Sequence, residues 1–123
     1  MRYMLLIYSR EGTASPEQEK AVTLRHRDVM NEARSRGIFH GAEPLQPTTT
    51  AVTVRRNGGE KALVTDGPFA ETKEQLAGYY ILDCASLDEA IAWAGKIPTG
   101  CQGGEGCVEI RPIRTMKVAI EES

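Results

Sequence analysis

The sequence has no run of apolar residues near the roughly 18–20 that a membrane span needs, so no membrane-spanning helix is expected. It has no excess of one charge either. Fifteen Lys and Arg stand against 17 Asp and Glu, a net charge of −2, too balanced for a nucleic-acid-binding or membrane-surface protein. Cysteines number only three, Cys84, Cys101 and Cys107, an odd count that fits reduced thiols rather than a disulfide scaffold. Cys101 and Cys107 are not spaced as Cys-x-x-Cys, and His26 and His40 lie far from both, so neither a redox pair nor a metal site is expected. The opening MRYMLLIYSREG lacks the long apolar region and small-residue cleavage site of a secretory signal, which places the expected location in the cytoplasm. The Gly-rich TGCQGGEG lacks the Gly-Lys-Ser/Thr ending of a phosphate loop and precedes a strand rather than a helix. Arg55 and Arg56 beside a turn are too few cations for a nucleic-acid surface.

What is present is the composition of one globular domain. The 123 residues are 41% hydrophobic and 26% charged, enough for a single core without staples. The domain is expected over residues 1–115, with 116–123 as a tail. Arg2 to Tyr8 is apolar on both alternating sides, which predicts a strand covered on both faces. Ser15-Pro16-Glu17-Gln18 is a helix start, with Ser15 as N-cap and Gln18 in the capping-box position. That helix should run to about Arg36, stop at Gly37, and turn Val22, His26, Val29, Met30 and Ala33 inward.

Phe39 to Leu45 predicts a short strand. Ala51 to Arg56 and Glu60 to Thr65 flank Asn57-Gly58-Gly59, a hairpin signal of the type I′ kind. The hairpin ends at Asp66-Gly67-Pro68-Phe69, and the polar Ala70 to Leu76 predicts one helical turn. Gly78 to Cys84 is another strand. Ser86 caps a second helix whose stripe reads Leu87, Ile91, Ala94 and Ile97, with Trp93 at its edge. Cys107 to Ile113 is the last strand. This order predicts an α+β, ferredoxin-like sandwich with an added β-hairpin. Two helices cover one sheet face, so the other, also apolar, predicts a homodimer paired sheet to sheet.

Three sets of residues could carry chemistry. His26 can be a general acid or base, or a half-buried histidine bonded to a carbonyl or carboxylate. Asp66 ends a strand in a tight turn, where it could be catalytic or could cap its own backbone. Glu109 and Arg111 share a face of the last strand and form either a ligand-binding pair or an ion pair. No metal ligand set is visible. A His26–Asp66 dyad would raise the imidazole's pKa.

Asp66-Gly67-Pro68-Phe69, followed by Glu71, Lys73-Glu74 and Gly78-Tyr79-Tyr80, resembles the DGPF branch of the YCII-related proteins. The opening MRYMLLIY, the stretch LDEAIAWAGKIP and the last-strand VEIRPI agree with it, so the likeness extends to about residue 115. Ala77 stands where that family commonly has a second glycine. The resemblance implies a dimeric α+β barrel, the group of muconolactone isomerases and small monooxygenases that act on ring-shaped molecules. It also implies a His–Asp site, with His26 as the histidine and Asp66 as the aspartate candidate. Two functions follow from it. One is a cofactor-free lyase or isomerase for a small cyclic or aromatic molecule, with Arg111 holding an anionic group. The other is a non-catalytic ligand-binding or regulatory dimer linked to sigma-factor systems.

Overall fold

The computed structural model describes residues 1–12, 14–59, 61–100 and 105–116. Cys101, the centre of the Gly-rich loop, the start of the second hairpin arm at Glu60 and the tail beyond Met116 lie outside the described residues. The chain forms β1 (Arg2–Ser9), α1 (Pro16–Ser35), β2 (Phe39–Pro44), a short 3₁₀ turn (Thr48–Thr50), β3 (Val52–Arg56), β4 (Ala62–Asp66), β5 (Gln75–Asp83), α2 (Leu87–Ala94) and β6 (Cys107–Pro112). Four strands make one sheet in the order β2-β5-β1-β6, all neighbours antiparallel. β1 therefore runs parallel to β2 across α1, and β5 runs parallel to β6 across α2. Those are the two split βαβ crossovers of a ferredoxin-like α+β fold.

The helix signals act as read. Ser15 Oγ accepts the Gln18 N–H at 3.2 Å, and the Gln18 side chain accepts the Ser15 N–H at 2.8 Å. Gly37, at φ +72, lets Ile38 N–H return to the Ala33 carbonyl at 3.1 Å and closes α1. Ser86 Oγ accepts from Glu89 N–H, but the reciprocal Glu89 carboxylate reaches back one residue further, to Ala85 N–H at 2.9 Å.

Alternation in the strands sorts the sheet into two faces. Tyr3, Leu5 and Ile7 of β1 and Tyr80 and Leu82 of β5 are buried under the helices with Val29, Ala33, Ala90, Trp93 and Ile97. Leu5 sits between Tyr80 and Ile110 in the register and is fully buried. The opposite face is apolar at its centre, where Leu6 pairs with Tyr79 and Met4 with Ile81. Glu109 and Arg111 border it on β6, opposite Leu6 and Met4.

Three local expectations are corrected. Residues 70–76 form no helical turn: Gln75 and Leu76 extend β5 and pair with Ser9 and Tyr8. Pairing with β1 satisfies these backbone groups better than one isolated turn could. The last described pair of the hairpin is Arg56 with Ala62, a separation too long for a two-residue type I′ turn. Gly58 has positive φ, but Asn57 does not. In α2, Trp93 is buried at 4% exposure, while Leu87 and Ile91 are each 51% exposed. The buried stripe is Ala90, Trp93, Ala94 and Ile97, rotated from the one read.

The hairpin β3–β4 is a separate two-stranded sheet. Its base is stapled by Gly67 N–H to the Ala51 carbonyl at 2.7 Å and by Thr53 Oγ to the Gly67 carbonyl at 2.7 Å. No helix among the described residues is long and apolar enough to cross a membrane.

Candidate functional site

His26 lies on the inward stripe of α1, and Tyr80 rises from the buried face of β5 beneath it. The two meet with His26 Nδ1 and the Tyr80 hydroxyl 2.8 Å apart, and that hydroxyl also donates to the His26 carbonyl at 3.3 Å. Beside them a cleft of about 190 Å³ opens between α1 and the β2 edge. α1 contributes Thr23, His26 and Met30, β2 contributes Glu43 and Pro44, and β5 contributes Gly78 and Tyr80. The walls are mostly apolar; Glu43 pairs with Tyr79, so its side chain belongs to the opposite sheet face and it borders the cleft through its backbone.

Electrostatics keep both partners neutral near pH 7. Burial, and then the positive charge of Arg25, hold the His26 imidazole below its ordinary pKa of 6.5. Burial pushes the Tyr80 phenol up to about 12. The direction for His26 is opposite to that expected of a carboxylate dyad, and no carboxylate contributes to it. The sign for stability follows. Between the folded and unfolded midpoints the unfolded chain binds a proton that the folded chain refuses. This contribution is present above about pH 6.5 and is lost as pH falls through the lower folded value. An NMR titration should therefore place the His26 midpoint below 6.5. A midpoint above it would show that an unseen anion governs the imidazole.

The cleft depends on a close approach of two strands. A Cβ added at Gly78 would lie 2.7 Å from the Glu43 carbonyl oxygen and 3.2 Å from Pro44 Cα. Backbone, not a flexible side chain, is in the way. Gly78→Ala should force β2 away from β5, with an expected loss of about 1–3 kcal/mol in urea unfolding. An unchanged midpoint would mean that the strand edge yields freely.

The other residues singled out from sequence fall elsewhere. Asp66 closes β4 on the separate hairpin, is exposed, and is not among the described residues lining the cleft. Glu109 and Arg111 alternate with the inward Val108 and Ile110, so they stand on the sheet face away from His26. There Tyr8 donates its hydroxyl to Glu109 Oε1 at 3.3 Å, and burial together with Glu109 raises the Tyr8 pKa. Arg111 is thus on the wrong face to hold an anion against His26.

Cys84 is buried and Cys107 exposed, both as free thiols. Among the described residues no group of three His, Cys, Asp or Glu is placed to hold a metal. Sequence reading passed over Tyr80 as core. Inward alternation along β5 was the available signal for Tyr80.

Residues 1–117 match the sequence model of the YCII-related domain. The chain belongs to the YCII-related family. It is also similar to a protein of Rhizobium meliloti (strain 1021), Uncharacterized protein R00369, with 39% identity over 120 residues and 95% of each chain covered. In this YCII-related chain the cleft sits against the first helix, and its histidine is the one the sequence had singled out.

Proposed function

We propose that the cleft binds a small, uncharged, ring-shaped molecule and that His26 moves a proton on it without a cofactor, in a lyase or isomerase reaction. One observation carries this reading: an imidazole kept neutral at neutral pH stands in the wall of an otherwise apolar cleft. A neutral imidazole is a competent general base, and an apolar cleft with few polar groups is the usual form of a small-molecule site. No Lys or Arg is among the described residues lining the cleft, so the lining offers no fixed cation to hold an anionic ligand. The Asp66-Gly67-Pro68-Phe69 run supports a place in the DGPF branch of the family as part of this proposal, and the cytoplasm is the proposed location. A second reading, a non-catalytic ligand-binding dimer of regulatory role, is favoured by one fact: Asp66 does not line the described cleft.

The proposal extends to assembly. Met4, Leu6, Tyr79 and Ile81 form an apolar centre on the face the helices leave open, and a second copy packed sheet to sheet would cover it. Glu109 and Arg111 would then border the interface.

A thermal-shift screen of neutral cyclic metabolites beside their carboxylated counterparts, followed by mass detection of turnover, tests the reading. Binding of a ligand to the folded state raises the melting temperature. Neutral rings should stabilise the protein, and one should be converted by the wild type but not by His26→Ala. Stabilisation without conversion would favour the regulatory reading. Preference for the carboxylates would overturn the neutral-ligand assignment.

A further inference from the structure

We propose that Tyr80 is a positioning residue that holds His26 in the tautomer with its proton on Nδ1, leaving Nε2 as the lone-pair nitrogen for the cleft. A tyrosine hydroxyl has one proton to give and can also accept. The His26 carbonyl, 3.3 Å away, cannot donate, so a bond there uses the hydroxyl's proton. The 2.8 Å contact to Nδ1 is then a bond only if Nδ1 donates. The reverse arrangement, with the hydroxyl donating to Nδ1, makes the shorter bond and leaves the carbonyl contact without a proton. Two bonds against one select the Nδ1–H form, because the bond made by one ring nitrogen decides which of the two carries the proton.

The geometry gives Tyr80 the rigidity that such a role needs. Its backbone is paired on both sides, with Leu5 of β1 and Ala42 of β2, and the residue is 2% exposed. The rings are 5.8 Å apart and tilted by 33°, so they meet through the hydroxyl and not by stacking. The phenol keeps its proton throughout the neutral range, since burial has raised its pKa. A lone pair on Nε2 makes the cleft an acceptor. It would recognise a ligand that presents a hydroxyl or an acidified C–H to it, and would discriminate against one offering only acceptors. This consequence rests on the reading of the cleft as a ligand site; the tautomer does not.

The test is a long-range ¹⁵N–¹H correlation spectrum of the full chain, recorded above the His26 midpoint. The sequence has two histidines, so a His40→Gln variant assigns the signals. The expected result is a protonated Nδ1 and an unprotonated Nε2 at His26. In Tyr80→Phe the Nε2–H form should become the majority, while amide signals away from α1 stay in place. A wild-type His26 protonated on Nε2 would overturn the proposal. So would an unchanged tautomer in folded Tyr80→Phe. If that variant does not fold, the wild-type spectrum alone decides. Neither ligand nor turnover enters the measurement, so the tautomer and the proposed reaction stand or fall separately.

Discussion

Leu6→Asp should give a folded species of one chain mass, 13.5 kDa, where the wild type is expected at twice that mass. Leu5→Asp, one residue away, should give no folded protein. Both leucines lie on β1 and both are paired on two sides, Leu5 with Tyr80 and Ile110, Leu6 with Tyr79 and Glu109. They differ only in the face they occupy. Leu5 is fully buried under the helices, and an unpaired carboxylate there has no water and no partner. Leu6 is half-buried on the open face, so within one copy an aspartate can be hydrated. Between two sheets it would be a buried charge, and the interface would not close. Light scattering of both variants reads the outcome. A Leu6→Asp protein that still runs at twice the chain mass would place the interface elsewhere; a wild type at 13.5 kDa would remove the dimer altogether.

Trp93→Ala should cost about 3–5 kcal/mol, a large part of the roughly 5–15 kcal/mol that holds a domain of this kind together. Ile91→Ala should fall within about 0.5 kcal/mol of wild type, as exposed positions do. The indole is 4% exposed, and two cations cover its outer side. Lys96 Nζ stands 4.6 Å from the ring centroid and the Arg36 guanidinium 5.9 Å. Lys96 is held there by Glu32 at 2.8 Å, which ties α2 to α1 across the indole. Ile91 is 51% exposed and has no comparable environment. The order expected from the apolar stripe alone is the reverse, so urea unfolding of the two variants discriminates between the two orientations of α2. An Ile91→Ala loss as large as that of Trp93→Ala would show that the helix presents its other face.

Local signals in the sequence settled the ends of α1, the start of α2 and the two apolar faces of β1, because a cap, a positive-φ glycine and a two-residue alternation act within a few residues of themselves; which face of β1 lies under the helices came from the tertiary structure. They also settled the fold class, since two capped helices between apolar strands leave few ways to build one sheet. His26 was legible for the same reason: it shares a helical stripe with Val29 and Ala33.

Tertiary structure decided the rest. Two stripes were available to α2, overlapping at Ala94 and Ile97. Burying Trp93 removes more apolar surface from water than burying Leu87 or Ile91, and the helix took that rotation. Residues 70–76 have no strong preference of their own, and the unpaired edge of Tyr8 and Ser9 drew Gln75 and Leu76 into β5. Asp66, Glu109 and Arg111 are plausible partners for a histidine when only residue type is known. Which of them can reach it depends on strand pairing across the whole chain, and that pairing set Asp66 on a separate hairpin and the other two on the far face. It also brought Tyr80 from the middle of a strand to the imidazole of a helix 54 positions away, a contact that no local spacing encodes.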